Sequence, residues 1–121
     1  KVTVKENSEK LNDIRYSNYA SGYVSIDFSQ VKAVGNTYQV EGYVINKSSR
    51  RVASIKQIQI TLTQNTKVLA KQWFTNVYVS APANSQEKFT VTFDKSSVKK
   101  KNVDLRTGSV QCEGERAFVT Y

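Results

Sequence analysis

The sequence contains no histidine and no methionine, and only one cysteine and one proline among its 121 residues. Without histidine the chain cannot form a Ser-His or Cys-His catalytic pair, and it has no imidazole ligand for zinc. Cys112 has no partner for a disulfide within the chain. Because most hydrolase and metalloenzyme designs need these groups, we expect a non-enzymatic protein with no catalytic residue, no metal and no cofactor.

Long hydrophobic runs are also missing. No apolar stretch approaches the roughly 18–20 residues that a membrane-spanning helix needs, so we expect no membrane span. Hydrophobic residues nevertheless make up 39% of the chain. At this length, that content is enough for one domain with its own core and without a stabilising metal or disulfide.

Apolar and polar residues alternate along most of the chain. The alternation is clearest in 52–64, where Ile58, Ile60 and Leu62 are separated by threonine and glutamine. A period of two is typical of a half-buried strand, and several such segments between turn residues predict an all-β, immunoglobulin-like antiparallel β-sandwich of six or seven strands. The segments are Tyr23–Val34, Thr37–Asn46, Val52–Gln64, Lys67–Phe74, Gln86–Phe93 and Val110–Tyr121, the last with a bulge at Gly114.

The first 21 residues are polar and follow neither the strand period nor the helix period. We therefore predict an N-terminal arm over 1–21 and a β-sandwich domain over 22–121. Within the arm, Ser8 could cap a short helical turn around Glu9–Tyr16.

Between residues 37 and 105 the strand motifs follow a recognisable order. They are Tyr-Gln-Val-Glu-Gly-Tyr-Val-Ile-Asn at 38–46, Ile58–Leu62, Val68–Phe74, Pro82 and Phe89–Phe93. This order resembles small extracytoplasmic β-sandwich domains of Gram-positive bacteria, in particular the SLAP (S-layer assembly protein) domain and the FxLYD-type domain. The resemblance implies an extracytoplasmic module, on the cell surface, in a lipoprotein or secreted, that serves attachment, assembly or interaction without catalysis.

The formal net charge is +8, and nearly all of it lies after residue 40, where the chain has 13 basic and six acidic residues. Such a field attracts polyanions, including wall polymers, anionic lipids and nucleic acid. Two clusters, Arg50-Arg51 and Lys99-Lys100-Lys101, fall in predicted loops, where they are candidate contacts for a polyanion or partner. The alternative is that they only keep the surface soluble, and the sequence does not decide whether they form one patch.

Trp73 is a further candidate contact. In an extended strand Trp73 and Phe74 face opposite ways, so one of them lies on the polar side of the sheet. An exposed Trp73 would be an interaction hot spot, and the alternative is that the N-terminal arm covers it. Tyr16, Tyr19 and Tyr23 form a second aromatic group, of the kind that stacks on nucleic-acid bases or sugars.

Three functions compete for these features. We favour a non-catalytic cell-surface or lipoprotein module that binds a protein partner or an anionic cell-wall polymer. The alternative is a nucleic-acid-binding β-domain that uses the basic loops and the tyrosines. An enzyme that uses Glu113 and Glu115 is the third, and exposed edge strands would in addition permit self-association.

Overall fold

The computed structural model describes residues 4–5, 8–10, 23–101 and 103–121, with 4–5, 8–10 and 115 described by backbone alone. Within these residues, alternating segments form eight strands and one 3₁₀ turn. They are β1 (Val4–Lys5), β2 (Ser8–Lys10), β3 (Val24–Val34), β4 (Thr37–Asn46), β5 (Val52–Gln64), β6 (Lys67–Ala81), β7 (Ser85–Thr92), the 3₁₀ turn (Lys95–Ser97) and β8 (Val110–Thr120).

The strands form two four-stranded sheets. The first sheet has the order β1-β8-β5-β6, and the second has the order β2-β3-β4-β7. The short β1 pairs in parallel with β8, whereas the other pairs are antiparallel. The predicted all-β antiparallel sandwich is therefore confirmed.

The core lies between the two sheets and follows the period of two. Along β4 every second residue is buried, and on β5 the side chains of Ile58, Ile60 and Leu62 have no exposed surface. Aromatic rings complete the core, with Phe74 and Phe93 in edge-to-face contact at 5.2 Å between ring centroids. This geometry is a favourable one for aromatic pairs and adds to the burial of their apolar surface.

Two glycines make room for aromatic rings inside the sandwich. A Cβ atom on Gly42 would lie 2.8 Å from the Asp27 carbonyl oxygen and 3.0 Å from Phe89 Cζ, and one on Gly114 would lie 2.9 Å from Ile58 Cδ1. The predicted bulge at Gly114 is wrong, because Gly114 pairs in register with Ile60. Glycine is present there for space between the sheets, and the extra residue of β8 lies between 115 and 118.

Strand β6 continues to Ala81, seven residues beyond the predicted end at Phe74. The predicted strand ended at Phe74, where the polar residues Thr75 and Asn76 interrupt the alternation of apolar and polar side chains. Asn76 adopts a left-handed conformation with φ of 51°, which an asparagine tolerates better than most residues, and the alternation of buried residues changes sides between Phe74 and Val79. After it the pattern resumes, and Val79 is buried again.

The predicted helical turn at Glu9–Tyr16 is wrong where the structure describes it. Residues 8–10 form β2 and pair with β3, while 11–16 lie outside the described residues. Residues 4–5 pair with β8 in the other sheet. Both sheets thus receive a short strand from the predicted arm, whose boundary at residue 21 stays a prediction.

The side chain of Asn46 joins the turn after β4 to the end of β6. It is fully buried, and its Nδ2 lies 2.6 Å from the Arg50 carbonyl oxygen, 3.0 Å from that of Ala81 and 3.2 Å from that of Pro82. Its Oδ1 accepts hydrogen bonds from the backbone N–H of Ser48 at 2.9 Å and from the Ser48 hydroxyl at 2.6 Å. One amide therefore satisfies buried backbone groups of two loops, as buried polar groups require.

Cys112 lies in β8 with its side chain fully buried in the core. Burial raises the pKa of its thiol strongly, and the nearby carboxylate of Glu113 raises it further. The thiol therefore stays protonated and unreactive in the folded protein, and it behaves as a small apolar side chain.

We expect Asn46→Ala to lower the free energy of unfolding by about 3 kcal/mol, because it leaves several buried backbone groups without partners. Urea unfolding followed by Trp73 fluorescence measures the change. Asn36→Ala, in the exposed turn between β3 and β4, is the matched control and should change stability by less than about 0.5 kcal/mol. Equal losses in both variants would contradict the role assigned to Asn46.

Stability should fall in alkaline solution because of Cys112. The pKa of its thiol is higher in the folded than in the unfolded chain, so its contribution is complete below the unfolded pKa of about 8.5 and is lost as the pH rises above that value. The difference in unfolding free energy between the wild type and Cys112→Ala should shrink by about 1.4 kcal/mol per pH unit above pH 9. A difference that is constant from pH 7 to about pH 10.5 would contradict a buried, protonated thiol.

Candidate functional site

The three lysines at 99–101, here called the lysine loop, follow the 3₁₀ turn after β7. Val98 forms an isolated antiparallel bridge with Ala70 of β6. The backbone N–H groups of Lys99 and Lys100 both donate to the carbonyl oxygen of Leu69, at 2.7 and 3.2 Å. The backbone of the loop is thereby held against the edge of the first sheet.

Tyr38 holds the same loop from the second sheet. Its ring is buried at the start of β4, and its hydroxyl donates a hydrogen bond of 2.5 Å to the Lys100 carbonyl oxygen. Burial raises the pKa of the Tyr38 hydroxyl, so the group keeps the proton that it donates. The lysine loop is therefore fixed to both sheets by its backbone, which leaves its side chains available.

The side chains of the lysine loop point into solvent. All three residues are exposed, and within the described residues their ammonium groups make no hydrogen bond or ion pair. Lys100 also lines a surface hollow of about 270 Å³ together with Lys67, and the rest of its lining is Gln64, Asn65, Leu69 and Val103. Two basic residues from different parts of the chain thus share one hollow at this end of the sandwich.

The nearby acidic group does not neutralise the lysines. Asp104 accepts from its neighbour Arg106, with Nε and Oδ1 3.0 Å apart, and this guanidinium lowers the pKa of the carboxyl group. Both residues are largely exposed, so the pair contributes little to stability. The positive charge of Arg106 already balances the negative charge of Asp104, so this carboxylate leaves the charges of the lysine loop in place.

Arg50 and Arg51 lie at the opposite end of the sandwich, just before β5. The Arg51 Nη1 donates to Ser80 Oγ at 2.7 Å, and the Arg50 guanidinium lies over the Tyr121 ring at 5.5 Å from its centroid. About ten residues of β5, or roughly 30 Å, separate this end from the lysine loop. The two basic clusters therefore form two patches, and both arginines already contact neighbouring side chains.

Trp73 lies on the outer face of the first sheet, opposite Gln59 of β5. It is 40% exposed, whereas Phe74 beside it is 8% exposed and belongs to the core. Tyr78, which the sequence reasoning missed, is 85% exposed on the same strand. The irregularity at Asn76 hid it, because strand alternation cannot be counted across a residue in a left-handed conformation.

Several sequence candidates lie outside the described part of the structure. Tyr16 and Tyr19 belong to the undescribed segment, as do most residues of the arm that was considered as a cover for Trp73. Of the two glutamates considered for catalysis, Glu113 accepts a hydrogen bond from Gln111 Nε2, and Glu115 is described by backbone alone.

Two further findings apply to the described residues only. Nowhere among them do three histidine, cysteine, aspartate or glutamate side chains come together as a set of metal ligands. The same part of the chain has no helix with the length and hydrophobicity of a membrane span.

Comparison with protein families decides the family. The model of the SLAP domain matches residues 4–113, which is most of the chain and extends well beyond the 37–105 that carried the resemblance. The chain belongs to the SLAP domain family. SLAP domains are surface and structural domains, so this one is a cell-surface, S-layer-associated module. Comparisons with curated proteins and with solved structures give no match.

We expect Tyr38→Phe to loosen the lysine loop without unfolding the SLAP domain. The loss of one hydrogen bond of about 1 kcal/mol should speed hydrogen exchange of the Lys99 and Lys100 amides roughly fivefold. NMR-detected exchange measures this, and Tyr43→Phe, a half-buried tyrosine of the same strand, is the control. Unchanged exchange of both amides in Tyr38→Phe would show that the Tyr38 hydroxyl does not hold the loop.

Proposed function

We propose that this SLAP domain is a non-catalytic module that binds an anionic cell-wall polymer through the lysine loop. The observation that carries the proposal is the combination of a fixed backbone with unpaired charges. Lys99, Lys100 and Lys101 are exposed, while Leu69 and Tyr38 hold the peptide groups between them.

A fixed loop suits this task energetically. Binding to a flexible polymer orders both partners, and a loop that is already ordered reduces that entropic cost. An ammonium group is a compact charge without the planar geometry of a guanidinium, so it accepts phosphate or carboxylate groups from many directions. Such a site recognises charge spacing along a polymer more than the detailed shape of one unit.

The hollow beside Lys100 extends the site. Lys67 brings a fourth ammonium group to its rim, and the side chains of Leu69 and Val103 provide apolar surface. A polymer that alternates charged groups with sugar or polyol units offers both kinds of contact. The proposal therefore places the domain outside the membrane of a Gram-positive cell, whose wall carries phosphate-rich polymers of this type.

The matched test compares two charge-removing variants. Changing Lys99, Lys100 and Lys101 together to glutamine should weaken binding to purified wall polymer roughly a hundredfold at low salt, at about 1 kcal/mol for each lysine near an anionic surface. Changing Arg50 and Arg51 to glutamine should have a much smaller effect, because these side chains face Tyr121 and Ser80 at the other end. Isothermal titration or surface plasmon resonance with immobilised polymer measures both.

Salt and nucleic acid supply the remaining controls. Binding through the lysine loop should weaken steadily as salt shortens the Debye length from about 30 Å at 0.01 M to about 8 Å at 0.15 M. Affinity that is equal in both lysine and arginine variants would contradict the proposal. Tighter binding to single-stranded oligonucleotides than to wall polymer, at the same salt, would support the nucleic-acid alternative instead.

A further inference from the structure

One row of side chains on the outer face of the first sheet carries opposite charges at its two ends. Thr61 of β5 pairs with Lys71 of β6 on one side and with Glu113 of β8 on the other. Cross-strand partners lie on the same face of a sheet, so the three side chains form a line across β6, β5 and β8.

The two charges of this row do not satisfy each other. Two strand spacings separate Lys71 from Glu113, which is about 10 Å between their backbones. Lys71 is exposed and makes no ion pair within the described residues, and Glu113 is half-buried and accepts from Gln111. Each end of the row therefore presents a charge outward from the sheet.

The surface around this row also contains an exposed aromatic ring. Trp73 lies two residues from Lys71 on β6, and its cross-strand partner is the half-buried Gln59. Threonine and glutamine fill the outer side of β5 from Gln57 to Thr63, with the exposed Lys56 just before this stretch, so the part of the face around Thr61 is uncharged. An exposed aromatic ring such as Trp73 is typical of the centre of a protein interface, and charged residues such as Lys71 and Glu113 are typical of its polar rim.

We propose that this face binds a second copy of the same chain. The two-fold axis lies between the two facing sheets and runs parallel to β5. Rotation about that axis turns the two outer faces toward each other and places β6 of each copy over β8 of the other. Lys71 of each copy then lies over Glu113 of the other, and Thr61 faces Thr61. The contact is isologous, with the same Lys71–Glu113 ion pair made twice by symmetry.

The Lys71–Glu113 row favours this axis over the one at right angles to it. A two-fold axis that runs across the strands would place β6 over β6 and β8 over β8. Lys71 would then face Lys71, and Glu113 would face Glu113, which repel. Sheets that pack face to face keep their strands within about 30° of each other at a distance of about 10 Å, and lysine and glutamate side chains from both sides span this gap.

The dimer should be weak, because three strands offer less area than the roughly 800 Å² per partner of a standard interface. It becomes significant where many copies are held side by side on one surface, since local concentration is then high. The dimer face lies on the outer side of β5, β6 and β8, whereas the lysine loop is bonded to the edge of β6 at Leu69. Self-association and polymer binding are therefore separable properties.

Sedimentation equilibrium between about 10 µM and about 1 mM tests the proposal with charge-reversed variants. The wild type should associate as its concentration rises. Lys71→Glu alone and Glu113→Lys alone should each remain monomeric, because each variant brings like charges together. An equimolar mixture of the two should associate again, since each variant then supplies the charge that the other needs, and the double variant K71E/E113K should associate with itself.

The mixture and the double variant control for misfolding, because a misfolded single variant would not associate when its counterpart is added. Circular dichroism of each single variant provides a second check. A wild type that stays monomeric over the whole range, or a mixture that does not associate although both single variants are folded, would overturn the proposal. The triple glutamine variant of the lysine loop should associate like the wild type, so failure of polymer binding and failure of dimerisation are distinguishable.

Discussion

The fold depends on one buried amide at the place where the chain changes sheets. The chain passes from the second sheet to the first between β4 and β5, and it returns between β6 and β7. Asn46 bonds to backbone groups of both passages, at Arg50 on one side and at Ala81 and Pro82 on the other. Without these bonds the carbonyl groups of two loops would be buried unpaired, so one side chain sets how the two sheets meet.

Much of the fold could be predicted from the sequence, because a strand with one exposed and one buried face requires apolar and polar residues to alternate along the chain. Strand β5 has the predicted bounds, Val52–Gln64, and β4 has the predicted bounds as well. The errors occur where a backbone irregularity or a distant contact intervenes. Asn76 shifts the sides of β6, and Gly114 is explained by the rings and methyl groups of other strands.

The candidate site was only half predictable for a related reason. Three adjacent lysines must be exposed because they repel one another, and this property is local. Their attachment depends on Leu69 and Tyr38, which are about 30 and about 60 residues away in the chain and meet the loop only after the sheets have packed. The separation of the arginine pair from the lysine loop likewise follows from strand order, which composition does not contain.

The double anchoring of the lysine loop has a mechanical meaning. A polymer that pulls on these lysines pulls on a peptide segment bonded to β6 of the first sheet and to Tyr38 of the second. The load is then shared between the two halves of the sandwich. It would have to shear the sheets past each other across a close-packed core, which resists more strongly than the peeling of a single edge strand.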